Sequence, residues 1–176
     1  HDGTRNGIAD WVGNVWKWAS GMRIVNGEIQ IFVGNLAARQ VSAAPESTYW
    51  KAILPTGALV NPGTAGTLKY TKDFKIATAT GEAGSTYTAN FGNITAASGV
   101  TIPEILYELH LAPKAGVTHQ GAFWINNEGE RLPVVGASYH NTSGSGPSAL
   151  SLNYPRSLVN TNIGFFSAFM ELESVI

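Results

Sequence analysis

Cysteine is absent from this sequence and charge is sparse: Asp, Glu, Lys and Arg make up 13% of 176 residues, with a formal net charge of −1. Without thiols there is no disulfide framework, no thiolate nucleophile and no cysteine-based metal site. The eleven Lys and Arg residues are scattered. Nucleic-acid binding needs clustered cations to displace counterions, so no nucleic-acid partner is expected. No apolar run approaches the roughly 20 residues that span a bilayer, and no membrane insertion is expected. The opening His1-Asp2-Gly3-Thr4-Arg5 is polar and carries no signal-peptide pattern. A start at His1 fits the C-terminal part of a longer chain.

Metal and cofactor motifs are also missing. His1, His110, His119 and His140 stand far apart, with no His-x-x-x-His spacing. The triplets Glu-Pro-Asn, Gln-Pro-Asp and Trp-Asn-Asp of calcium-dependent sugar binders do not occur, and acidic residues do not cluster as calcium ligands would. We therefore expect no metal and no cofactor. Nor does any nucleophile, base and orienting group stand out as a set, so the reading is not an enzyme.

What remains is apolar and turn-rich: 44% hydrophobic residues and 20 glycines. That balance favours short strands and long loops in one domain, 1–176, long enough to bury a core. Trp16 and Trp18 alternate with Val15, Lys17 and Ala19 at strand periodicity. Trp11, Trp16 and Trp18 fit core positions better than a sugar platform, and Asp10 and Asn14 suit backbone-capping roles in a turn. Asn26-Gly27, between the alternating runs Met22–Val25 and Glu28–Phe32, predicts a hairpin with a type I′ turn. A second hairpin is expected over 58–70, with Asn61-Pro62-Gly63 and Ala65-Gly66 in its turn. Residues 36–41 read as a short helix that Pro45 would interrupt, and 73–100, rich in Thr, Gly, Ala and Ser, as loop. A helix is predicted over 101–109, capped by Thr101 with Glu104 three residues on. The tail alternates turns with the apolar runs 121–125, 132–139 and 162–170. His110 and His119 are expected to be structural or solvated.

Three segments resemble one superfamily: Gly7-Ile8-Ala9-Asp10-Trp11-Val12-Gly13-Asn14-Val15-Trp16-Lys17-Trp18, Val135-Gly136-Ala137-Ser138-Tyr139, and Pro155-Arg156-Ser157 through Asn162-Ile163-Gly164-Phe165. The corresponding family patterns run Gly-Asn-Val-Trp-Glu-Trp, Gly-Gly-Ser-Trp and Asn-Ile-Gly-Phe-Arg. They mark the C-type-lectin-like fold of the formylglycine-generating-enzyme (sulfatase-modifying factor) superfamily. The resemblance covers both ends and leaves 35–134 as an insertion-rich middle. It implies an α+β fold of short strands and hairpins, few helices and long loops. The superfamily's enzymes use active-site cysteines or closely spaced histidines, and this chain has neither.

The chain is most similar to variable proteins of diversity-generating retroelements, including phage receptor-binding tail proteins. In these, mutation at adenines turns Asn codons into many others within a C-terminal segment, here 135–169. His140, Ser151, Tyr154 and Leu158 stand where the family pattern has Asn, among the retained Asn141, Leu150, Leu152, Asn153, Pro155, Arg156, Ser157 and Asn160. Phe166 replaces the family's Arg. The resemblance implies a ligand-binding patch of Tyr139, His140, Thr142, Ser143, Ser145, Ser148, Ser151, Tyr154, Leu158 and Val159. Tyr with Ser and Gly is paratope composition; by composition alone the same stretch is a plain solvated loop. The implied partner is a host or cell-surface protein or glycan, and the implied location a phage tail or a cell surface. The alternative is a structural tail or fibre domain that associates with its own copies, as a trimer for instance.

Overall fold

The computed structural model describes residues 11–34 and 42–165. The expectations for 36–41, Asp10 and 166–170 lie outside them. Among the described residues the chain is mostly β: short strands, one five-residue α-helix and two single 3₁₀ turns.

The Asn26-Gly27 hairpin forms as its sequence predicts. Strand β2 (Met22–Val25) pairs antiparallel with β3 (Glu28–Phe32), and both turn residues have positive φ, 48° and 80°. A Cβ on Gly27 would lie 2.7 Å from the carbonyl oxygen of Tyr70, so glycine serves both the turn and a close approach.

Elsewhere the pairings are less local than the sequence suggested. Residues 58–70 do not pair with one another. Leu59–Val60 (β5) folds back on Trp50–Ile53 (β4) around a tight turn, in which Leu54 donates to Ala58 and Gly57 to Leu54. Lys69–Tyr70 (β6) pairs with β3 and with Lys75–Ala77 (β7). The expected loop 73–100 also carries Ser85–Thr88 (β8) and Thr95–Ala96 (β9). Their Thr residues suit a pleated surface; β9 pairs with β7 inside the same stretch, while the partner of β8 is Phe123–Asn126, far along the chain. The helix α1 is shorter than expected, Glu104–Glu108, and begins after Pro103 with no side-chain cap. Pro103 holds Ile102 out of the helical region, so Thr101 cannot cap. His110, at φ 55°, ends the turn that follows.

The sheet runs β8, β10 (Phe123–Asn126), β12 (Leu150–Tyr154), β11 (Glu130–Val135), β2, β3, β6, β7, β9. Two short branches leave it: β4–β5 on β3, and β1 (Trp16–Trp18) on β11, with β13 (Ile163–Gly164) beyond β1. Strand β11 belongs to both halves. Glu130 and Arg131 pair with β2, while Val134 and Val135 pair with β1 and β12, with a register shift between Leu132 and Val134. Pro133 sits at that shift, where the missing N–H costs no ladder bond.

The main core gathers Ile24, Ile29, Ile53, Leu68, Tyr70, Phe91, Leu106, Phe123 and Leu152, all essentially inaccessible. The buried Tyr70 hydroxyl donates to the Leu111 carbonyl, and burial pushes its pKa far above the ordinary value. A smaller cluster of Trp16, Val134, Ala137 and Ala149 lies at the other end, with Trp18, Trp124, Tyr154 and Ile163 packed on it. Trp16 is core, as expected. Trp11 is not: it is 40% exposed.

A charged hub joins the two halves. Arg23, 6% exposed, donates to Gln30 (2.8 Å), the Pro45 carbonyl (2.9 Å) and Glu130 (2.8 Å), and lies 4.3 Å from the Trp50 ring centroid. Glu130 in turn receives Nε and Nη2 of Arg156, at 3.0 and 2.8 Å. The Arg156 hydrogen bonds, then those of Arg23, hold the Glu130 carboxyl below its ordinary pKa. Removing it strands a buried guanidinium, so Glu130→Ala is expected to cost about 3 kcal/mol in urea unfolding. A carboxylate with a depressed native pKa stabilises above its unfolded value and loses that contribution as pH falls through the native one. The stability gap between wild type and variant should therefore narrow from about pH 4.3 downward; a pH-independent gap would contradict the assignment.

Candidate ligand-binding surface

Residues 137–148 form a loop whose ends are tied together: Gly136 N donates to the Ala149 carbonyl at 3.0 Å. Inside it, the Asn141 carboxamide oxygen accepts from both N and Oγ of the buried Ser138, at 2.9 and 2.8 Å. Asn141 N returns the bond to the Ser138 carbonyl, and a 3₁₀ turn over Thr142–Gly144 follows. Asn141, quoted above only as a retained family residue, thus organises the loop. The segment leading into Phe123 holds the base: Ala122 N donates to the Gly144 carbonyl, and Ser148 N to the Gln120 carbonyl. Gly146 passes so close to Gln120 that a Cβ would lie 2.2 Å from its carbonyl oxygen. Trp124 seals the underside, with Gly144 against its six-membered ring.

This base decides which expected residues reach solvent. Tyr139 is 62% exposed and stacks on His140, ring centroids 3.9 Å apart; Thr142 and Ser143 are exposed beside them. Ser145 is half-buried. Ser148 and Ser151 are buried, at 5% and 2% exposure, which corrects their expected place in the patch. Ser148 lies in the foot of the loop, and Ser151 belongs to a central strand flanked by β10 and β11. Tyr154 is half-buried against the smaller core, Leu158 is half-buried, and Val159 is 93% exposed.

The two exposed stretches flank one short segment. Tyr139 N donates to the Asn14 carbonyl (3.0 Å), and Trp16 N donates to the Asn162 carbonyl (2.8 Å). Asn14 takes the left-handed conformation, φ 58°, next to Gly13, whose carbonyl accepts from the buried Lys17 amine. Arg156, held by Glu130, fixes the start of the 155–162 stretch, where Leu158 N turns back to the Pro155 carbonyl.

An apolar cleft of about 430 Å³ opens at the foot of the loop, between Trp11, Met22, Phe32, His110, Val135 and Leu150. Sequence reasoning gave it no place, because its walls come from six separate parts of the chain. His110 is its one titratable wall residue among those described. It stacks face to face on Phe91, ring centroids 4.8 Å apart, with His119 at 5.7 Å. Burial, then the neighbouring His119, lowers its pKa. Among the described residues no three His, Asp or Glu side chains come close enough to hold a metal ion.

Two measurements follow from this partition. Tyr139→Ala should shift stability by less than about 0.5 kcal/mol, whereas Tyr154→Ala, stripping half-buried area from the smaller core, should cost roughly 1–2 kcal/mol in the same unfolding assay. Equal costs would place Tyr139 in the core as well. His110 has a native pKa below its unfolded value, so its contribution is complete above about pH 6.5 and shrinks as pH falls through the native value. His110→Gln should flatten the stability profile in that window while leaving the lower carboxylate transition in place.

No protein-family model matches this chain, and no curated protein matches it.

Proposed function

We propose that this domain is a binder of the C-type-lectin-like, formylglycine-generating-enzyme-related kind. In this reading it displays a diversified surface patch to a molecule on a host or other cell, as phage tail receptor-binding proteins do. One observation carries the reading. The three sequence-distant segments that bear the family resemblance meet through backbone contacts: Gly13 N on the Gly136 carbonyl (2.9 Å), Tyr139 N on Asn14, Trp16 N on Asn162, and β1 parallel to β13. A chance likeness of three short motifs has no reason to bring them together. The side chains carried outward beside this junction include Tyr139, His140, Thr142, Ser143 and Val159, positions where the resemblance puts variable contacts. Ser148 and Ser151 drop out of the contact set, and Tyr154 and Leu158 serve it from its edge.

The chemistry agrees with binding. Rigid aromatic area with small hydroxyls around it adapts to many ligands at low entropic cost. The hydrogen-bonded loop is ordered before any ligand arrives, so little affinity is spent on ordering it.

Two tests bear on the proposal. Sequencing the DNA beside the gene should find a reverse transcriptase gene and a near-copy of the stretch encoding Tyr139–Phe165 that differs at adenines. Binding of the labelled domain to a panel of intact bacterial cells should fall at least about tenfold when Tyr139→Ala, His140→Ala and Val159→Ser are combined, with the unfolding midpoint unchanged. Unaltered cell binding by that folded triple variant would remove the patch from the function.

A further inference from the structure

On the face of β8, β10 and β12 turned away from the main core the side chains are aromatic or polar and uncharged, open at Tyr87 and covered at Ser151. Across β8, β10 and β12 the register lines up Tyr87, Trp124 and Ser151 in one row, and Ser85, Asn126 and Asn153 belong to the same face. The other face carries Phe123, Ile125, Leu150 and Leu152 into the core, each 4% exposed or less. A sheet with one face in the core needs only polar residues on the other. Here that face instead holds Tyr87, 50% exposed and tilted 34° against Trp124 with ring centroids 4.9 Å apart.

Trp124 is fixed from two sides. Trp16 meets it edge-on at 5.2 Å and 86°, and Gly144 of the loop covers its six-membered ring. With one side of Tyr87 against Trp124, the exposed part of its ring is the opposite side and the edge. Polar groups frame it. Ser85 Oγ donates to the Asn153 carboxamide oxygen at 2.9 Å, and the Asn126 carboxamide oxygen accepts from Glu128 N at 3.0 Å. Both carboxamide NH₂ groups make no hydrogen bond to the described residues.

We propose that Tyr87, supported by Trp124 and bordered by Asn126 and Asn153, is a carbohydrate platform, so that the ligand of the adjoining patch is a glycan. The inference rests on the binding reading above and names its ligand class. A pyranose ring offers a flat array of C–H bonds that packs on an aromatic face, and a rim of hydroxyls that accept from amide N–H groups. It is neutral, as this face is. A nucleobase would stack equally well, but its phosphates find no cation on these strands. A peptide could use the same ring, and the test must tell it apart. The buried Gly144 packs against Trp124 and so sets the platform beside the 139–143 loop.

The experiment titrates the intact domain with the methyl glycosides of glucose, galactose, mannose and N-acetylglucosamine into the millimolar range. Saturation-transfer NMR and tryptophan fluorescence provide the readouts. At least one glycoside is expected to bind, with saturation strongest at its ring C–H protons. Tyr87→Ala should weaken it at least about tenfold, and Tyr87→Phe should retain most of it. Tyr87→Phe keeps the ring contact with Trp124 and should unfold with wild type, while Tyr87→Ala loses it and should lower the midpoint by only about 2–4 °C; Asn153→Ala offers a second route should Tyr87→Ala fail to fold. Absence of binding by all four glycosides overturns the platform, as does binding that Tyr87→Ala and Asn153→Ala leave intact. Cell binding by the 139/140/159 triple variant, run in parallel, separates the two claims. If cells depend on that patch, yet protease-treated cells lose binding and periodate-treated cells keep it, the ligand is a protein: the glycan assignment fails and the binding reading survives. If glycosides bind at Tyr87 while the triple variant still binds cells, the platform stands and the patch does not.

Discussion

The guanidinium of Arg23 is the contact on which the two halves of the sheet depend. A buried cation is costly to desolvate, and here burial is the dominant influence on Arg23, pulling its pKa down. It is tolerated because Nε donates to a side-chain amide, Nη1 to a backbone carbonyl and a carboxylate, and the guanidinium lies over the face of Trp50. Such a site gives little net stability compared with a well-packed apolar one. Its value is register. Arg131 opposite Ile24 is the pairing that sets Glu130 within reach of Arg23, and a slip of one residue would turn Glu130 to the other face. The same carboxylate reaches Arg156, so a single acidic side chain aligns the hairpin β2–β3, the shared strand β11 and the stretch leading to Val159. A second buried carboxylate repeats the logic: Glu28 accepts from Gln30, Thr67 and Gly63 and ties the hairpin to the 61–67 turn.

Legibility in the sequence followed the range of the interactions. The Asn26-Gly27 hairpin is written in two residues whose conformational preference leaves one outcome, and it was read correctly. Strand β1 came from the alternation of Trp16 and Trp18, and short strands with few helices from composition. What failed was long-range. Ser85–Thr88 is a strand because Phe123–Asn126 lies beside it, and nothing within 73–100 announces that partner. Residues 58–70 looked like a hairpin because both ends favour strands, but each found a different neighbour. The Thr101 cap failed on a local rule that was available, the effect of Pro103 on the residue before it. At the site, the exposure of Tyr139 and Val159 needed the fold. Polarity misled twice, at Ser148, buried in the foot of the loop, and at Ser151, buried in a strand flanked on both sides. Tyr87 and Trp124 left a faint trace, the out-pointing positions of the alternating runs Ser85–Thr88 and Phe123–Asn126, which is visible only once those runs are known to be strands.

A long loop without disulfides must be held by other means. Between Gly136 and Ala149 the chain uses an Asn–Ser pair, a 3₁₀ turn and glycines at crossings too tight for a Cβ. Each hydrogen bond adds only about 1 kcal/mol net, but all of them are local, and together they order a stretch that composition alone would describe as plain loop. None of them uses the side chains of Tyr139, His140, Ser143 or Val159.

That separation is the deeper constraint on what the domain can be. The described ion pairs lie in the hub or on the middle segment and helix, and none involves residues 139–154. The loop is shaped by backbone groups and by Ser138 and Asn141, which face inward. Side chains at the tip therefore change without moving a charge partner; Tyr139 and His140, in ring contact at 3.9 Å, are the pair whose effects couple. The foot of the loop is held by backbone contacts and by Ser138 and Asn141, while the exposed side chains of Tyr139, His140 and Ser143 carry none of that load.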